Sequence, residues 1–414
     1  MRVAVVGGGL AGLAAALDLI DSGYDVVLYE ARPTLGGKVQ TLPRREGDPE
    51  PPPDNGQHIA LGCFHEYQRF LARVGKLGAL RREKLRLPVI AEDGSRAYLA
   101  GGVGGVLRYR HLSLRERLEL ARVVRRLGEE GEPDNEDRTF GELLRSLGQS
   151  QRVVDRFWDV FVRPALNLPT AEAGASYGLV LLFTALLSKG EGDSDVLLPV
   201  EPLSKMHGEA AGRALERAGA SVHLDAPVES LDEIDADGIV LAVPPEESGR
   251  LLGEAVRDLG RSPIVSVHLH FDRVLMADVV AGLLGSPAHW VFDRGRLTGH
   301  VPEQGQYLTV VSSGAPELLA VRGRDLIELM AEALRERFGP AELLWSRVSR
   351  EPEATFAARP GTQALRPGAE TGRPNVVRAG AWTASSWPAT MESAVRSGRA
   401  AVRLLSAATT KVVA

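Results

Sequence analysis

The sequence predicts an α/β protein in which a Rossmann-type nucleotide-binding domain is joined to an α+β substrate domain, and three observations carry that reading. The 414 residues are 44% hydrophobic and 25% charged, which suffices for two domains with cores of their own. The first 30 residues read as strand, glycine turn, helix and strand, the order of a βαβ unit. Much later, "IVSVHLHF" (264–271) alternates strictly. Val265, Val267, Leu269 and Phe271 share one strand face, and Ser266, His268 and His270 share the other, where the two histidines are expected to meet solvent.

Within the N-terminal unit, Val3 to Val6 form a buried strand, and Gly7, Gly9 and Gly12 make a G-x-G-x-x-G turn. Gly7 permits the tight turn, Gly9 a close approach to a pyrophosphate, and Gly12 close packing of helix on strand. Leu13, Leu17 and Ile20 give the helix its apolar stripe, and its N-terminus offers free N–H groups to phosphates. The next strand, "DVVLYE", ends in Glu30, 18 residues after Gly12, where a carboxylate can accept hydrogen bonds from an adenosine ribose. These residues alone leave FAD and NAD both open.

Composition removes several alternatives. A net charge of −5 argues against nucleic acid as a partner. The single cysteine, Cys63, excludes an internal disulfide and any C-x-x-C motif, and the nine histidines show no H-E-x-x-H spacing, so no metal is expected. The chain enters an apolar strand without signal-peptide features, and a cytoplasmic protein is expected. "GASYGLVLLFTALL" (174–187) is too short to span a bilayer and suits a core helix or a dip into one leaflet. Residues 108–126 carry seven Arg against two Glu, with Leu114, Leu118, Ala121 and Val124 at helical spacing and Ser113 and Glu116 as a capping box. Such a helix either rests peripherally on an anionic membrane or packs one face on its own domain.

"EARPTLGGK" (30–38) adds a family resemblance. E-A-R-x-x-x-G-G-[RK] is similar to the second signature of the FAD-dependent amine oxidase and carotenoid desaturase superfamily, which implies FAD as cofactor, with Ala31, Gly36, Gly37 and Lys38 beside it. Lys38 puts a point charge where Arg is commoner. The same resemblance implies an FAD domain assembled from residues 1–75, 200–260 and 372–414, with 76–199 and 261–371 forming the substrate- and membrane-facing domain. "GASVHLDAPVESL" and "ADGIVLAVPP" match its adenine-side strands, Val228 being a backbone contact, with the intervening β-meander reduced or absent. "NVVRAGAWTASSWPATMESAVRSG" resembles the C-terminal flavin motif. Here Gly380, Ala381, Met391 and Glu392 are the implied contacts, Pro388 is expected as the first helical residue of a helix running through Leu405, and Glu392 either touches the cofactor or merely favours the helix terminus. Ala381 departs from the pattern, since the family has Asp there.

The stretch "DNGQHIALG" (54–62) follows a proline-rich loop and sets polar residues against an apolar run. By resemblance this segment reaches the flavin. Gly56 would let the backbone approach the ring, and Asp54, Gln57 and His58 are the candidate acid or hydrogen-bonding groups. Asp54 and Asn55 could also simply close a turn. Together with "RPALNLPTAEA", "SDVLLPVEPLS" and "PAHWVFDRGR", this stretch resembles the hydroxysqualene dehydroxylase branch, which implies reduction of 12-hydroxysqualene to squalene in squalene and hopanoid synthesis. On that reading Asp54 or His58 protonates the departing hydroxyl, burial keeping Asp54 neutral. A carotene desaturase acting on a polyene, and a flavin-fold lipid carrier without turnover, are the alternatives. The expected partner is a long-chain isoprenoid, and the sequence names no electron donor.

Overall fold

The computed structural model describes residues 1–130, 137–188 and 190–413. Its centre is a five-stranded, wholly parallel sheet in the order Val376–Arg378, Gly238–Leu241, Arg2–Val6, Asp25–Tyr29, Ser221–His223. The inner strands are short apolar runs because both sheet faces are covered there, whereas the edge strand Ser221–His223 is largely exposed. Helix Leu10–Asp21 lies on one face, held there by the C-terminal helix Met391–Val413, and Leu231, Ile239 and Leu251 belong to the core on the other. The two helices approach closely at Gly398, where an added Cβ would stand 2.2 Å from the Ala11 carbonyl oxygen. Between Ser221–His223 and Gly238–Leu241 lies one short 3₁₀ turn, Leu231–Glu233, in place of a meander.

A seven-stranded sheet forms the second layer system, in the order Leu343–Phe356, Arg261–Phe271, Gln306–Ser313, Trp290–Asp293, Val280–Leu283, Arg86–Ile90, Arg96–Ala100. Val265, Val267, Leu269 and Phe271 share a core with Leu326, Met330 and Leu334 of helix Gly323–Phe338. The opposite face corrects the expectation for His268. That imidazole is 1% exposed, with Nδ1 3.0 Å from Thr309 Oγ1, because the proline-rich segment around 48–56 lies across the sheet there. Desolvation pushes the His268 pKa down to about 3. His270, at the strand's end, is partly exposed and bonds the Gln304 carbonyl at 2.8 Å.

A small antiparallel sheet, Ala60–Leu61, Val196–Pro199 and Leu80–Glu83, ties the segment after residue 54 to strands outside the parallel sheet. "GASYGLVLLFTALL" resolves as helix Ala175–Leu181 continuing into a π-helical turn, Leu182–Leu186, and is mostly buried. Among the described residues no helix is long and apolar enough to cross a membrane. The basic helix runs Leu114–Glu130, and its capping box forms, Ser113 N donating to Glu116 Oε2 at 2.7 Å and Glu116 N to Ser113 Oγ at 3.3 Å. Its apolar residues do not make one stripe. Leu120, Ala121 and Val124 are buried, whereas Leu114 is 62% and Leu118 43% exposed.

Candidate active site

One cavity of about 1410 Å³ begins at the carboxyl ends of the parallel strands and continues among residues of the seven-stranded sheet and the helices beside it. Its first part is built by the βαβ turn. Gly7 has φ +106°, and a Cβ on Gly12 would lie 1.8 Å from the Gly7 carbonyl oxygen, so only glycines permit the helix to start this close to the strand. Gly12 itself does not line the cavity, and its contribution is this packing; Gly7 and Gly9 do line it. The helix begins at Leu10 with Gly9 as N-cap and no side-chain cap, which leaves backbone donors for a phosphate.

Glu30, Ala31, Gly36, Gly37 and Val228 complete this end. The Glu30 carboxylate accepts from Gly8 N at 2.6 Å and Arg32 N at 2.9 Å, so it is held in place while each oxygen keeps a second lone pair for a ribose hydroxyl. An uncapped helix terminus over a glycine cradle, with a fixed carboxylate beyond it, fits an adenine dinucleotide. Gly380, Ala381 and Met391 line the wall toward the other end.

The C-terminal motif is corrected in two places. The helix starts at Met391, not Pro388, because Thr390 and Ser393 form the cap, Ser393 N donating to Thr390 Oγ1 at 3.1 Å and Thr390 N to Ser393 Oγ at 2.9 Å. Pro388 belongs to the loop that lines the cavity. Glu392 is not a cofactor contact. Its carboxylate accepts from Tyr67 N at 2.8 Å and Glu66 N at 3.2 Å, capping helix His65–Arg73, and pairs with Arg396 at 2.6 Å.

Arg366 was not anticipated, and it organises this wall. Buried to 5% exposure, its guanidinium donates to the carbonyls of Ala381, Trp382, Thr383, Ser385 and Trp387 at 2.5–3.4 Å. The loop that carries Ala381 is thereby fixed through its backbone, without the carboxylate the pattern would have supplied. Desolvation lowers the Arg366 pKa from its ordinary value.

Where the cleft turns away from the parallel sheet, Lys38, Asn55, Gly56, Gln57, His58 and Glu351 line it. Asn55 Nδ2 donates to the Lys38 carbonyl at 2.6 Å and reaches Glu351 Oε1 at 3.4 Å. Gln57 Oε1 and Asn55 Oδ1 are buried without a protein partner, so acceptors remain free at the turn. His58 Nδ1 lies 3.3 Å from the Gly56 carbonyl, and burial lowers its pKa, favouring neutral imidazole. Lys38 donates from Nζ to the Glu353 carbonyl, and burial lowers its pKa as well.

Asp54 is absent from this wall, which corrects its assignment as acid. Its carboxylate is 2% exposed and turned to the sheet behind the segment, with Oδ2 2.6 Å from Arg294 Nη1 and Oδ1 accepting from Thr41 Oγ1 at 2.7 Å and Leu203 N at 3.1 Å. A buried, ion-paired carboxylate with partners on both oxygens is an anchor, not a proton donor to the cavity.

Beyond the polar turn the cavity is apolar. Ile59 and Leu61, Leu85, Leu87 and Leu99, Val160, Phe161 and Pro164, Val180 and Leu181, and Trp290 and Phe292 form its wall. Both wall helices carry a π-helical turn, Val154–Trp158 and Leu182–Leu186, an irregularity common where helices shape a binding cavity.

A family model described as flavin containing amine oxidoreductase matches residues 10–406. Among curated proteins the chain is similar to hydroxysqualene dehydroxylase of Sinorhizobium fredii, 28% identical over 431 residues that cover 97% of this chain and 98% of that protein. It is also similar to zeta-carotene desaturase of Zea mays, 24% identical over 489 residues covering 96% and 82% respectively. In fold it matches an oxidoreductase from Methanosarcina mazei, with TM-score 0.75, 16% identity and coverage of 97% and 100%. Putrescine oxidase bound to putrescine gives TM-score 0.73 at 16% identity, with coverage of 98% and 99%.

Proposed function

We propose, from the premise that the chain belongs to the flavin containing amine oxidoreductase family, that this FAD-dependent oxidoreductase replaces the hydroxyl of hydroxysqualene by hydrogen to give squalene. The observation that carries the reading is the continuity of one cavity, polar at its turn and apolar beyond it. Bound and reduced, FAD supplies the hydride and its electron pair. The protein's part is to hold a flexible C30 chain along the apolar arm, present its oxygen-bearing carbon at the turn, and keep water away, because water would restore the alcohol. Neutral His58, Gln57 and Asn55 can bond the departing oxygen, and a proton must reach it from an acidic side chain.

An anaerobic single turnover tests this. Photoreduced enzyme mixed with hydroxysqualene in detergent is expected to reoxidise its flavin with squalene formed in equal amount. A flavin that stays reduced would sink the reading, and oxidised enzyme dehydrogenating zeta-carotene would replace it with desaturation, which the similarity to zeta-carotene desaturase supports as the second reading.

The proposal includes a membrane surface for a substrate this apolar. Helix Gly102–Arg108 exposes Val103 and Leu107, and the neighbouring helix exposes Leu114 and Leu118, all beside exposed Arg108, Arg110 and Arg115. Strand Arg96–Ala100, whose Leu99 lines the apolar arm, leads directly into the first of these helices. Aliphatic side chains ringed by arginine suit the headgroup region of an anionic bilayer. Leu114→Glu/Leu118→Glu, both exposed positions, is expected to weaken co-sedimentation with phosphatidylglycerol vesicles by roughly 10-fold or more, the loss of two partly inserted leucines. Undiminished co-sedimentation would rule this surface out.

A further inference from the structure

We propose that Glu351 is the side chain that protonates the departing hydroxyl, an inference that rests on the dehydroxylation reading above and assigns the acid which Asp54 cannot provide. The first support is backbone geometry. Strand Leu343–Phe356 pairs with Arg261–Phe271 in a register that sets Glu351 against Ile264 and Thr355 against Ser262. Pro352, Glu353 and Ala354 therefore stand opposite Pro263 alone, and the strand bulges. A regular strand shows alternate residues to a given side, yet all six residues from Glu351 to Phe356 line the cavity. The bulge turns the strand into a stretch of cavity wall with a carboxylate at its head.

The second support is position. Glu351 lines the cavity together with Lys38, Asn55, Ile264 and Phe356, paired with Ile264 across the sheet and in reach of the Asn55 amide. Asn55 Nδ2 bonds the Lys38 carbonyl at 2.6 Å and orients Glu351 Oε1 from 3.4 Å, which ties the carboxyl to the double-glycine segment. The third is the absence of a close counter-charge. Among the described residues no Arg or Lys reaches within 4 Å of Glu351, Lys38 acting on it from farther off, in contrast to Asp54 and its 2.6 Å contact with Arg294. His58 belongs to the same wall and is held toward its neutral form by burial, which suits it to orient the hydroxyl.

In the step itself the C–O bond breaks as the oxygen takes the Glu351 proton and leaves as water. The allylic carbon receives hydride from reduced FAD, which ends oxidised, and the Glu351 carboxylate regains its proton from solvent. The test uses holoenzyme and Glu351→Gln. The variant is expected to retain FAD and to bind hydroxysqualene in the oxidised state, read as a flavin absorbance shift, within about 2-fold of wild type. Its single-turnover rate on the alcohol should fall about 10²–10⁴-fold, the usual contribution of a positioned acid. An allylic acetate of the same C30 skeleton, which departs without a proton, should be reduced by the variant at near the wild-type rate. An undiminished rate on the alcohol, or equal losses on alcohol and acetate, would overturn the assignment. Wild-type enzyme that leaves hydroxysqualene untouched would show instead that the substrate reading had failed, and the acid role would fall with it.

Discussion

Arg366→Met is expected to yield a protein that loses its FAD on gel filtration and unfolds in urea with about 3–5 kcal/mol less stability, the loss typical of disrupting a buried charged network. The side chain satisfies five carbonyls of one loop, and its guanidinium stacks over Phe356 at 4.8 Å. Methionine can replace the packing but none of the donors. Each carbonyl must then find water or stay unpaired at about 1–3 kcal/mol, so the loop is expected to open toward solvent. Residues Gly380 and Ala381 at one end and Trp387 to Met391 at the other would leave the cofactor wall together. Arg366→Lys should fall between the two, because an ammonium offers three donors without the planar fork. A methionine variant that keeps stoichiometric FAD would show that the loop holds its shape unaided.

Arg366 also marks where reading the sequence stops. The glycine turn and Glu30 were legible because they are local: both belong to one βαβ unit, where residue type and spacing are the whole requirement, whereas the double glycine was legible only through the family resemblance. The segment Asn55 to His58 was legible as a polar element against an apolar strand. What Asp54 does was not, because its role depends on Arg294, a partner distant in sequence that arrives on a strand-to-helix turn of another sheet. His268 fails for the same reason: alternation predicts two faces correctly but not what covers them. Glu351 carried one faint signal. Pro352 beside it, and Pro263 on the paired strand, are residues that strand interiors tolerate only at edges and bulges. Met391 and Glu392 show how a motif can be read one contact too far. The helix terminus is at the cavity, but a carboxylate one residue along is turned to a different helix.

Asp54→Asn is expected to lower stability by about 3–5 kcal/mol while the folded fraction keeps a single-turnover rate within a few-fold of wild type. The first half follows from burial. Asp54 and Arg294 are 2% and 1% exposed, and the carboxamide would leave the guanidinium as an uncompensated charge under the sheet, where the Pro52 carbonyl at 3.4 Å is a weak substitute for a carboxylate. The second half follows from placement, since the lost charge never faced the substrate. Removing both partners separates the pair's anchoring role from simple burial cost. In Asp54→Leu/Arg294→Met no buried charge is stranded, so the double variant should be more stable than the sum of the single losses by at least about 2 kcal/mol. It should still turn over more slowly than Asp54→Asn, because Asn55, Gly56, Gln57 and His58 follow directly on the anchor, and leucine cannot accept from Thr41 Oγ1 or Leu203 N. The measurements are urea unfolding for the four corners of the cycle and flavin reoxidation on each folded holoenzyme. An Asp54→Asn protein of wild-type stability whose turnover is abolished would return Asp54 to the chemistry and remove the proton from Glu351.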